Sequence, residues 1–145
     1  MGDGTIDRYG CLVSALAMMI STRDRTVTPA VLNRHLREHR GYVNGNAVVF
    51  QAVETYPGVG ISFVSREIFR LSALKRYLDG GYQVILGFPG GSHWVYVLGY
   101  RGDGSLLSQY RFHDPGRAGA SREFSLSDPP AAMRVFRLLD PPPSP

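Results

Sequence analysis

Apolar residues follow two rhythms along this chain, and the change of rhythm divides it into a helical first part and a strand-rich second part. Residues 11–20 are apolar or small throughout, which predicts a first helix over about 11–22, ended by the turn Arg23-Asp24-Arg25. Thr28 before Pro29 has the form of an N-cap and first helical residue, so a second helix should run to near Gly41. Asn46 is placed to cap a third, with Val49, Ala52 and Val53 on one face and Pro57-Gly58 at its end. Residues 61–65 read as a short apolar strand, and 72–78 as a fourth helix stopped by Gly80 and Gly81. Beyond that point the apolar residues come in short β-branched and aromatic runs. These predict strands over 83–88 and 93–100, a hairpin turn at Arg101-Gly102-Asp103-Gly104, and an antiparallel partner over 106–113. Two further strands are expected over 121–126 and 133–139. Helices first and antiparallel strands after is an α+β arrangement. Met1 to Asp7 reads as loop, residues 1–140 as a single domain, and 141–145 as a proline-rich tail.

Composition narrows the setting. The longest apolar run, residues 11–20, falls well short of the roughly 20 residues that span a membrane. It has no basic leader before it and no small-residue cleavage pattern after it, so it reads as a core helix rather than a signal peptide, and the chain as cytoplasmic. A single cysteine excludes a disulfide framework and any multi-thiol zinc site. His35 and His39, spaced i, i+4 on the second helix, could grip a metal, but no third ligand stands near them. We therefore expect no metal and no other cofactor. The net charge of +4 is mostly an arginine excess. Arg34, Arg37 and Arg40 form a positive stripe, which is either a solvated face or a docking face for an anionic polymer. No nucleic-acid module accompanies it.

The chemistry centres on the one cysteine. Cys11 opens the expected first helix, where the helix dipole and free backbone N–H groups favour a thiolate. His93 follows 93 − 11 = 82 residues later, at the start of an expected strand. Asp114 lies 114 − 93 = 21 residues further on, at the end of that strand's hairpin partner. Counted outward from the turn, His93 and Asp114 both fall at the open end of the hairpin, about one strand spacing apart. Cysteine as nucleophile, histidine as base and acid, and a carboxylate to orient the ring is one reading of this set. The plainer reading is a buried small thiol, a structural histidine and an Asp-Pro-Gly turn. His113 is an alternative polar partner, but neighbours on a strand point to opposite faces, and Asp114 is the better placed.

The segment Thr5-Ile6-Asp7-Arg8-Tyr9-Gly10-Cys11-Leu12-Val13-Ser14-Ala15-Leu16-Ala17-Met18-Met19 resembles the nucleophile segment of double-glycine-peptidase-like, papain-like proteins of bacteria and phages. Ser92-His93-Trp94-Val95 is similar to that family's histidine strand, and His113-Asp114-Pro115-Gly116 to its Asn-Asp-Pro turn. Thr28-Pro29 and the run from Leu78 to Ile85 fit the same pattern, so the resemblance covers nearly the whole chain. It implies a papain-like fold, with a helical lobe carrying the nucleophile packed on an antiparallel sheet carrying the histidine and the carboxylate. It implies Cys11 as nucleophile, His93 as base and acid, and Asp114 as the orienting carboxylate.

One departure bears on activity. The family usually has a glutamine shortly before the cysteine, whose amide helps to hold the oxyanion, and residues 1–10 contain neither Gln nor Asn. The hydroxyl of Thr5 and the backbone N–H of Cys11 are the substitutes at hand. Either the natural chain begins upstream of Met1, or the protein is a weak or inactive relative. The resemblance thus leads to a cysteine peptidase or amidase working through a thioester, on a leader or cell-wall peptide. A peptide-binding module without catalysis, or an acyl transferase with the same triad, are the alternatives. Leader-processing members are joined to a transporter, and the lack of a spanning segment points instead to a stand-alone role.

Overall fold

The computed structural model describes residues 6–43, 47–91, 93–114, 121–123 and 129–139. Helix α1 (Ile6–Ser21) is the apolar centre of one half: Val13, Ala15, Leu16, Ala17, Met19 and Ile20 are all buried. Burial on more than one side follows from its position between helix α2 (Pro29–Glu38) and the sheet. Its start differs from the sequence expectation, because residues 6–10 are already helical where loop was expected through Asp7 and the helix from about Cys11. One glycine inside a helix costs only about 1 kcal/mol, too little to end it. Helix α2 begins as expected, with the Val31 N–H donating to Thr28 Oγ1 at 3.1 Å and Leu32 and Leu36 turned inward.

The expected third helix is shorter than its pattern. Strand β1 (Tyr42–Val43) pairs with β2 (Ala47–Val48), which takes up the residues before helix α3 (Phe50–Val53). Asn46, its expected cap, lies outside the described residues. Strand β3 (Ile61–Ile68) runs three residues beyond its predicted end at Ser65. Helix α4 (Leu71–Asp79) ends at Gly80, and Gly81 takes a φ of 84° that favours glycine, as the paired glycines suggest.

Strands β4 (Gln83–Gly87), β5 (Trp94–Tyr100), β6 (Tyr110–His113), β7 (Ser121–Glu123) and β8 (Ala132–Leu138) complete a six-stranded antiparallel sheet. Its order is β3-β8-β4-β5-β6-β7, so the last strand of the chain enters between β3 and β4. The β5–β6 connection is longer than a tight hairpin, since residues 107–109 form a 3-10 turn before β6 begins at Tyr110. The expected strand end at Leu126 and the tail over 141–145 fall outside the described residues.

The pleat sorts the core onto two faces. Ile85, Tyr96, Phe136 and Leu138 pack beneath α1, α2 and α3. Val84, Leu86, Val95, Val97, Phe112, Met133 and Val135 face α4. The expected α+β architecture is therefore present, with the sheet covered on both sides. No described helix is long and apolar enough to cross a membrane.

Candidate active site

His93 is held at the mouth of the β4–β5 hairpin. Strand β4 ends at Gly87, a short 3-10 turn over Pro89–Gly91 reverses the chain, and the Phe88 N–H donates to the His93 carbonyl at 2.9 Å. Gly90 has a φ of 77°, which suits the sharp reversal. The Phe88 ring lies beside the imidazole, 5.7 Å between centroids, and walls it on one side. On the neighbouring strand, Tyr96 pairs with His113, and Asp114 is the next residue along.

These two chain ends bring a ring and a carboxylate together. His93 Nε2 is 2.8 Å from Asp114 Oδ1. Asp114 is 3% exposed, the one buried polar or charged residue among those described. A carboxylate only accepts, so Nε2 carries the proton, and in a neutral imidazole the lone pair then belongs to Nδ1. The contact fixes both the tautomer and the ring plane. Thus Nδ1 is the atom available to take a proton from a nucleophile. His113 sits in the Tyr96 register on the opposite pleat, and Asp114 makes the contact with His93.

The other expected site residues are less fully placed. Cys11 belongs to α1, and α1 packs against β5, the strand that His93 leads into. Because the helix begins at Ile6, Cys11 lies more than a turn inside it rather than at its first residue. The unpaired N–H groups of a helix are its first four, and its dipole acts mainly within the first turn. The helix end therefore does little to favour a thiolate at Cys11. Thr5 lies outside the described residues.

The basic stripe is also resolved. Arg34, Arg37 and Arg40 are exposed. The two nearby histidines have structural partners: His35 Nε2 is 2.7 Å from Thr55 Oγ1, His39 Nδ1 is 2.8 Å from the His35 carbonyl, and the rings stack at 3.9 Å. Two open cavities of about 420 and 440 Å³ lie around Arg23, Gly81 and Tyr82, at the opposite end of β4 and β5 from His93.

Sequence reading missed the packing around Trp94, which directly follows His93. A Cβ on Gly87 would come within 2.6 Å of the Trp94 ring, so a residue without a side chain is required there. It also missed Arg134, whose position offered a signal. In the expected strand 133–139 it alternates in phase with Phe136 and Leu138, which places a charge on a core face.

No curated protein and no solved structure matches this chain. A family model does, over residues 3–129, which include the helix of Cys11, His93 and Asp114. The chain belongs to the Peptidase_C39-like family and shares its papain-like α+β, cysteine-peptidase-like character.

Proposed function

We propose that the protein is a cysteine peptidase or amidase with Cys11 as nucleophile, His93 as general base and acid, and Asp114 as the residue that orients His93. The observation that carries this reading is the 2.8 Å contact between His93 Nε2 and buried Asp114. It supports a ring whose Nδ1 is ready to accept a proton.

In this scheme the Cys11 thiol proton passes to Nδ1, and the sulfur attacks the substrate carbonyl carbon. The tetrahedral adduct collapses as the C–N bond breaks, and His93 returns the proton to the departing amine. A thioester remains on Cys11. His93 then takes a proton from water, the hydroxide adds to the thioester, and the C–S bond breaks to release the acid and the thiol. Asp114 stabilises the imidazolium in both halves without itself moving a proton. Thr5 and the Cys11 N–H are the proposed oxyanion donors. The Cys11 N–H would have to leave the regular i→i−4 pattern of α1 to serve, which puts the weight on Thr5.

Family membership supports peptides as the substrate class. The exposed Arg34, Arg37 and Arg40 are a proposed face for an anionic polymer such as a cell wall. The same triad would serve acyl transfer to an amine, and the missing glutamine favours a peptide-binding module as the second reading. Mass spectrometry of the intact protein mixed with activated peptide esters separates them. An acyl adduct on the sole cysteine that forms and then decays is expected, with none in Cys11→Ala. No adduct with any ester would leave the binding module as the surviving account.

A further inference from the structure

Arg134 carries a charge that this scheme does not use. It lies mid-strand in β8, across from Arg66 on one side and Ile85 on the other. Its guanidinium carbon is 5.2 Å from the Phe50 ring centroid and 5.3 Å from that of Trp94. Nη1 donates to the Met133 carbonyl at 2.9 Å, while Nε is buried without a hydrogen-bond partner. No carboxylate among the described residues pairs with Arg134. The charge beside it is another cation, and burial together with Arg66 holds the Arg134 pKa below the ordinary arginine value. Arg134 is half-buried as a whole, but its Nε is enclosed without a partner beside a second cation, an arrangement that an anionic ligand would complete.

Its location gives the ligand's class. Trp94, which forms one wall, immediately follows His93 in the chain, and its ring lies over Gly87. With Nη1 occupied, the Nε–Nη2 edge remains. That edge is the side-on fork whose two parallel N–H groups match the two oxygens of a carboxylate. Phe50 and Trp94, with ring centroids 6.3 Å apart, line adjacent sides of the guanidinium, and the apolar surface they present strengthens a charge-assisted hydrogen bond there.

We propose that Arg134, with Arg66 beside it and Phe50 and Trp94 as walls, recognises a carboxylate of the peptide substrate, an Asp or Glu side chain near the bond that is cut. The position relative to that bond rests on the peptidase reading; the carboxylate site itself does not. Trp94 is the only tryptophan, so its fluorescence reports the site directly. The probes are acetyl-Ala-Glu-Ala-amide, its Gln counterpart and inorganic phosphate, each titrated into the Cys11→Ala protein so that turnover plays no part. The Glu peptide should give a saturating change at a concentration about tenfold or more below the Gln peptide. Arg134→Gln should abolish the difference, and Arg134→Lys should not restore it, because an ammonium lacks the fork. Arg66→Gln, at an exposed position that folding tolerates, should weaken Glu-peptide binding severalfold. Equal titration by the Glu and Gln peptides, saturation by phosphate alone, or no response to any probe would each overturn the proposal. Failure here leaves an acyl adduct on Cys11 unaffected, and failure to form that adduct leaves carboxylate binding unaffected.

Discussion

A carboxylate that is 3% exposed is stable only with a partner, and Asp114 has His93 Nε2 at 2.8 Å. The effect of Asp114 substitutions follows from what Nε2 needs. Asp114→Asn keeps an acceptor oxygen and should retain most of the reactivity of Cys11. Asp114→Ala leaves the Nε2 proton without an acceptor, frees the ring to turn, and should lower reactivity by about 10-fold to 100-fold, read as the rate of alkylation. Equal rates in the two variants would separate Asp114 from the chemistry. Gly87 is the second position where one atom decides. Adding a Cβ 2.6 Å from Trp94 displaces that ring, so Gly87→Ala should cost about 1–3 kcal/mol in urea unfolding and shift the single tryptophan's emission.

Among the elements, α2 shows what sequence conveys and what it does not. Thr28-Pro29 marks its start because capping is local chemistry, and Thr28→Ala should cost about 1 kcal/mol by thermal or urea unfolding. The His35–His39 pair was spaced like a metal grip, yet tertiary contacts with Thr55 and Tyr56 give His35 a structural role. Burial first, then the His39 charge, lowers the His35 pKa, against an opposing pull from Glu38. The folded protein therefore binds that proton less readily than the unfolded chain. Stability should be full above the ordinary value near 6.5 and fall as pH drops from there through the lowered pKa. His35→Gln should flatten the decline in the urea midpoint between pH 7.5 and 5; an unchanged decline would assign it to other groups. The β5–β6 hairpin was legible for a similar reason. The antiparallel pairing of its strands and the nearness of His93 to Asp114 could be expected from local order, but the 3-10 turn over 107–109 and the register shift between Val97 and Gly99 could not. The start of α1 was not legible, because a Gly- and Asp-rich lead reads as loop and single glycines are tolerated in a helix. Nor was the short α3, which depends on β1 and β2 pairing.

At the scale of the whole molecule, the least legible feature is the place of β8. A strand near the end of the chain lies between β3 and β4, and no period or turn residue announces a pairing across that separation. Its alternation was readable, but the neighbours that set Arg134 beside Arg66, Phe50 and Trp94 were not. Because β8 supplies Phe136 to one core and Met133 and Val135 to the other, the two faces should unfold together. Phe136→Ala should cost about 3–5 kcal/mol, a large share of a total of about 5–15, and lower one cooperative transition seen alike by tryptophan emission and circular dichroism. Two separated transitions would contradict the coupling. The central claim is that His93, held by Asp114, activates the thiol of Cys11. The pH dependence of Cys11 alkylation in the native protein and in His93→Ala tests it most directly. The account predicts that the native thiol stays reactive well below the ordinary thiol range near 8.5, and that His93→Ala returns it to that range. Superimposable profiles in the two proteins, both rising near 8.5, would contradict it.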